Sequence, residues 1–315
     1  MKSRAFQLSE ATRLRAEATG NLGWIAGLDE CVEGLERSWG IRVGESLLGG
    51  SESLVARAVC RDGTLAIVKV GLPGTADLAN ESKVFRIADG RGYARLIAQD
   101  DSRNALLLER LDRPLADLGL PIGTQIEVIC ATLREAWVPV DSSADLMTGA
   151  EKARWLASFI KDVWQTLGEP CAKATRNQAL TYAAEREEVF CLNVSVLVHG
   201  DAHSYNALTL PGLSSDAQTQ CKFVDPDGLI AEPAYDLAIP MRDWNQELLC
   251  GNATELGEAR CELLSELTGV DGRAIWQWGF VERVSTGLLL MQIGMEREGL
   301  ETLAVADQWA TGRVL

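Results

Sequence analysis

Between residues 21 and 39, Trp24, Leu28, Val32, Leu35 and Trp39 recur at helical spacing, with Asp29, Glu30, Glu33 and Glu36 at the remaining positions. This predicts an amphipathic helix packed on the body of the protein. From Ile41 to Val70 the pattern changes to short apolar runs broken by Gly49-Gly50-Ser51 and Asp62-Gly63, which predicts three antiparallel strands joined by a glycine loop and a tight hairpin. A helix over Ala76–Ala88 follows, stopped by Asp89-Gly90, then strands near Ala94–Ala98 and Ala105–Leu111. Beyond Arg113-Pro114 the pattern is mainly helical: Ile122–Ala136, Ala150–Leu167, Ala179–Phe190, Thr254–Leu267 and a long segment Asp271–Glu298 with Asp271 as N-cap, helices resuming near Tyr235. Two short apolar runs interrupt it, one ending at Val198 and one, Cys221 to Val224, ending before Asp225. The expected architecture is α+β and bilobal: a helical segment over 1–40, a small antiparallel-sheet lobe with one key helix over 41–111, and a large mainly helical lobe over 112–315. A hinge is expected near 109–116, with ligands in the cleft.

With 315 residues and 47% hydrophobic composition the chain can bury a sizeable core. No run of eighteen apolar residues exists, and Met1 to Glu10 lack a long apolar core, so neither a membrane span nor a signal peptide is expected and the cytoplasm is the default. Eight cysteines without a C-x-x-C pair read as small buried hydrophobes in a reducing compartment. The net charge of -15 argues against nucleic acid as the main partner and suits a cationic small molecule, although a well-solvated acidic surface explains it equally.

Only seven lysines stand against twenty-three arginines, so a lysine inside an apolar strand is conspicuous. Lys69, in Leu65-Ala66-Ile67-Val68-Lys69-Val70, needs an anionic partner if buried. Glu81 offers one, because Leu78, Glu81, Phe85 and Ala88 share one helix stripe. Such a pair would set the lysine near the α- and β-phosphates of ATP, as in the protein-kinase template; the competing reading is a snorkelling lysine and a solvated glutamate. Gly49, Gly50 and Ser51 could offer backbone N–H groups to phosphate, or could be an ordinary turn. The strand ending in Glu109-Arg110-Leu111 would form the adenine-side hinge through the Glu109 carbonyl and the Leu111 N–H, or be plain core.

Both histidines lie in His199-Gly200-Asp201-Ala202-His203-Ser204-Tyr205-Asn206, and Asp225-Pro226-Asp227-Gly228 follows about twenty residues on. Two strand ends presenting Asp, Asn and Asp suit magnesium and phosphoryl transfer, since hard cations take oxygen ligands. Together with Lys69, Glu81 and Pro233-Ala234-Tyr235-Asp236-Leu237-Ala238, these residues resemble the aminoglycoside phosphotransferase family of protein-kinase-like small-molecule kinases. The tryptophan helix and the Asp-Pro-x-Gly wording resemble more narrowly the branch of streptomycin 6-kinases and aminoglycoside/hydroxyurea resistance kinases.

The resemblance implies a protein-kinase-like fold and an ATP- and Mg2+-dependent phosphotransferase acting on a hydroxyl, most naturally of an aminoglycoside such as streptomycin. Asp201 would then be the catalytic aspartate, Asn206 and Asp225 the magnesium ligands, His199 a loop organiser and Asp236 a brace for the catalytic loop. Position 227 is aspartate where this branch often has lysine; it would add a metal contact, disfavour a bound anion, or be a turn residue. His203 has no assigned use. A cationic acceptor needs carboxylates and aromatic faces, for which Asp243, Trp244, Glu247, Trp278 and Glu282 are candidates, though tryptophans at helical spacing more often pack in cores. Two other readings remain: a kinase of a sugar or amino alcohol on the same fold, and a metal-dependent hydrolase using His199, Asp201 and His203, which the glycine and the preceding strand disfavour.

Overall fold

A computed structural model describes residues 6–76, 78–140, 144–212 and 219–311. The chain divides into two compact units, Met1–Asp112 with Leu210–Ser214, and Arg113–Thr209 with Ser215–Leu315. The first holds helices α1 (Glu10–Ala18) and α2 (Leu22–Trp39), strands β1 (Ile41–Leu47), β2 (Ser53–Cys60) and β3 (Leu65–Gly71), helix α3 (Leu78–Ala88), and strands β4 (Leu96–Asp100) and β5 (Ala105–Glu109). The sheet is antiparallel throughout, in the order β1-β2-β3-β5-β4.

Strand alternation sorts the side chains of β3. Ala66, Val68 and Val70 join a buried cluster with Leu28, Val32 and Leu35 of α2 and Leu54, Ala56 and Leu107. Lys69 falls on the opposite face, in register with Leu106. The helical segment expected over 1–40 contains two helices, and Ser9 starts α1 by accepting the Thr12 N–H at 3.0 Å. The helix ahead of Asp89-Gly90 begins at Leu78, and residue 77 of the expected span lies outside the described residues. Both stop residues take positive φ, 49° and 77°.

The second unit runs α4 (Ile122–Ala136), β6 (Met147–Thr148), α5 (Gly149–Thr166), α6 (Lys173–Glu188), β7 (Val196–Val198), β8 (Ala207–Thr209), β9 (Cys221–Phe223), β10 (Leu229–Ala231), α7 (Ala234–Arg242), α8 (Asn245–Leu249), α9 (Ala253–Thr268), α10 (Gly272–Gln292) and α11 (Glu296–Thr311). α10 is the hub. It is apolar around most of its circumference, the mark of a central helix, and packs on α5, α6, α7, α9 and α11. Asp271 caps it as expected, accepting from Arg273 and Ala274.

Two expected helices have different bounds. The segment Asp271–Glu298 is two helices, broken where Gly294 takes φ 86°, a conformation that ends a helix at little cost only for glycine. α6 starts at Lys173, six residues before the expected Ala179, because its apolar face is too sparse to mark the first turns. Among the described residues no helix is long and apolar enough to cross a membrane.

Candidate active site

The loop after β7 is fixed from beneath by one buried carboxylate. Asp236, in the first turn of α7, accepts the backbone N–H groups of His199 (3.0 Å) and Gly200 (2.8 Å) and the indole N–H of Trp137 (2.9 Å). Burial raises its pKa, opposed by the nearby imidazole of His199 and these three donors. Gly200 has φ 90°, and a Cβ there would lie 2.7 Å from Leu229 and 2.8 Å from Asp227. Only glycine fits that turn.

His199 ties two loops together. Its Nδ1 accepts the Asp201 N–H at 3.1 Å, so Nε2 carries the proton and donates to the Val224 carbonyl at 2.9 Å. Complete burial lowers its pKa and keeps it neutral, against the pull of Asp236. With both ring nitrogens engaged, the imidazole has no lone pair for a metal, which removes the His199/Asp201/His203 hydrolase arrangement. Among the described residues, no group of three His, Cys, Asp or Glu side chains could hold a metal ion.

Asp201 projects from this loop among charges. Arg242 Nη2 donates to its carboxylate at 2.5 Å, and His203 Nε2 lies 3.3 Å away. Burial would raise the Asp201 pKa, but His203 and Arg242 outweigh it and hold the carboxyl well below the usual range. For His203, burial lowers the pKa and the Asp201 carboxylate more than restores it, so the net shift is upward. Asn206 closes the loop, donating Nδ2–H to the Asp201 carbonyl at 3.0 Å, while its own carbonyl accepts the Val224 N–H at 3.0 Å. Because Ala207 pairs with Phe223 across β8 and β9, Asn206 and Asp225 stand at the same end of that ribbon. Asp225 takes φ 55°, a strained conformation outside glycine. Two hard oxygen side chains suit magnesium, which takes one or two protein ligands and completes its shell with phosphates and water.

A cavity of about 340 Å³ opens beside Asp201. Asp227, Tyr235, Arg242 and Glu282 line one part of it, and Lys152, Trp155 and Phe159 of α5 another. Arg242 spans Asp201, Asp243 (3.6 Å) and Glu282 (3.4 Å), and Tyr235 donates its hydroxyl to Glu282 at 2.6 Å. Of the five expected acceptor contacts, Glu282 lines this cavity and the others do not. Trp278 is 1% exposed, its indole N–H bonded to Glu232 and its ring edge-on to Tyr235. It is a core residue. The Asp243 carbonyl, the Trp244 ring and the Glu247 carboxylate all engage Arg260. Arg242, Lys152, Trp155 and Phe159 had not been anticipated. The signal was available for α5, where 152, 155 and 159 share one helix face.

In the first unit Lys69 Nζ meets Glu81 Oε2 at 2.6 Å, with side chains 12% and 7% exposed. Gly49-Gly50-Ser51 joins β1 to β2, and the Gly50 carbonyl accepts from Ser9 (2.8 Å) and Thr12 (3.4 Å) of the first helix and its cap. Glu109 ends β5 with its carboxylate on the Arg95 N–H, and Leu111 is buried.

Residues 38–294 match the family of aminoglycoside/hydroxyurea antibiotic resistance kinases. The chain belongs to this family. The kinase is 25% identical over 295 residues to streptomycin 6-kinase of Streptomyces griseus, covering 91% of each chain. It is 27% identical over 270 residues to hydroxyurea phosphotransferase of Kitasatospora aureofaciens, covering 84% of this chain and 74% of that one. Among solved structures it is similar to choline kinase LicA from Streptococcus pneumoniae, with a TM-score of 0.61 at 16% identity over 90% of this chain and 98% of that one; LicA is also known in complex with AMP. The kinase therefore has the α+β protein-kinase-like fold, and it is a phosphotransferase acting on hydroxyl groups.

Proposed function

We propose that the kinase transfers the γ-phosphoryl group of ATP, with Mg2+, to a hydroxyl of a cationic aminoglycoside-like acceptor such as streptomycin, in the cytoplasm. The observation that carries this reading is the cavity wall itself: Asp201 stands beside the carboxylates Asp227 and Glu282 and beside exposed aromatic surface. Bound magnesium would supply charge neutralisation on the phosphates, held by Asn206 and Asp225. Lys69, oriented by Glu81, would steady the α- and β-phosphates; Gly49, Gly50 and Ser51 would cover them, and Glu109 and Leu111 would take the adenine by their backbone. Asp201 orients the acceptor hydroxyl and takes its proton late. A strongly depressed pKa suits that role, because the loose transition state of phosphoryl transfer asks for alignment more than base strength.

The test is acceptor-dependent ADP formation. Streptomycin should stimulate it and leave with one added phosphoryl group, and chelation of magnesium should stop it. If streptomycin is inert while a sugar or an amino alcohol is phosphorylated, the resistance reading falls and the metabolite-kinase reading replaces it.

A further inference from the structure

The cavity beside Asp201 contains its own cation. Lys152, in the first turn of α5, places Nζ 5.1 Å from the ring centre of Trp155 and 5.9 Å from that of Tyr235, both within cation–π reach. Neither ring is loosely placed. Trp155 is stacked on Phe159 at 5.4 Å and 13°, and Tyr235 is buried with its hydroxyl on Glu282. Of the three cavity carboxylates, Asp201 and Glu282 are engaged by the Arg242 guanidinium. Asp227 lines the same cavity as Lys152. One ammonium therefore sits where two aromatic faces and a carboxylate converge.

We propose that the Lys152 ammonium occupies the cation seat of the acceptor site, and that an acceptor binds by exchanging its own guanidinium or ammonium group for it against Trp155, Tyr235 and Asp227. This rests on the reading of the cavity as the acceptor site. Lys152 lies on a flexible four-carbon stem and can withdraw toward solvent. The exchange makes the site selective, because a neutral polyol has nothing to replace the ammonium with. A guanidinium is the better replacement, being planar and more weakly hydrated than an ammonium.

Agmatine, with a guanidinium at one end and an ammonium at the other, probes the seat without any phosphate transfer. Calorimetric titration of the full chain should show Lys152→Met binding agmatine about fivefold tighter than wild type, the scale of one cation–π contact no longer competed for. Lys152→Arg, which keeps the competing cation, should show no gain, and adding Trp155→Ala to Lys152→Met should remove it. Equal binding by wild type and Lys152→Met, absence of binding to both included, overturns the exchange, as does a gain that survives loss of Trp155. In the transfer assay the KM for streptomycin should fall in Lys152→Met, and a rise would count against the exchange. The two readings fail separately: wild type that does not phosphorylate streptomycin sinks the proposed acceptor, whereas the agmatine titration alone decides the seat.

Discussion

Each unit buries a basic side chain against acid, and the two arrangements differ in kind. In the sheet unit Lys69, a compact point charge, meets Glu81 at 2.6 Å. In the helical unit Arg242 spreads a planar fork over Asp201, Asp243 and Glu282. A lysine ammonium has three rotatable donors and can face a phosphate while keeping a carboxylate partner. An arginine fork fixes directions, so Asp201 is held in place as well as ionised. The same pairing of charges can thus leave a cation adaptable or lock an anion.

Four measurements would break or sharpen this contrast. The largest effect should follow Asp201→Ala, which should lower kcat by about 10²- to 10⁴-fold while nucleotide binding persists; near-normal turnover would remove Asp201 from the reaction. Next is Arg242→Met, which leaves Glu282 without this cation and Asp201 with His203 in its place. Denaturant unfolding should show a loss of about 3–5 kcal/mol, the usual result of removing one partner from a buried pair. A loss below about 1 kcal/mol would mean that the fork does not fasten these carboxylates.

Lys69→Met should act on the nucleotide, raising the KM for ATP about tenfold, the scale of one charge-assisted hydrogen bond. An effect confined to the acceptor KM would contradict the contrast. The smallest effect is spectroscopic. With only two histidines, the imidazole signals should separate on titration, His203 above the ordinary value near 6.5 and His199 below it. Because the His203 pKa is raised, its pairing stabilises the fold fully below the free-imidazole pKa and fades as pH climbs through the raised value. Asp201→Asn should lower the His203 pKa, because burial then becomes the dominant influence on the ring.

The sequence made local order legible and left three-dimensional convergence hidden. Lys69 and Glu81 could be paired because a strand and the next helix each carried one charge out of pattern. Asp201, Asn206 and Asp225 were visible because strand ends announce themselves by the apolar runs before them. Arg242 had no such marker: it is one of twenty-three arginines, at the end of a helix, and its importance arises from where the loop after β7 and helix α10 bring Asp201 and Glu282. Trp278 misled for the converse reason. Helical spacing places it on a face, but α10 is buried on nearly every face, so being on a face did not mean reaching a cavity. The first helix carried a readable Ser9 cap, and Gly294 a readable break, both outweighed by the stronger apolar patterns beside them.

The ring of His199 joins the Asp201 amide to the Val224 carbonyl, one residue before Asp225. The two bonds coexist only in the neutral, Nε2-protonated form, because a protonated Nδ1 can no longer accept the Asp201 N–H. Acid would therefore disable the kinase mechanically before it disabled it chemically. As pH falls below about 6.5 the unfolded chain takes up a proton that buried His199 refuses, and stability drains away through the lowered pKa, while Asp201 stays ionised throughout that range. The acid limit of the enzyme is then a property of the spacing between two loops, and broadening it would call for a ring that spans the same gap without titrating.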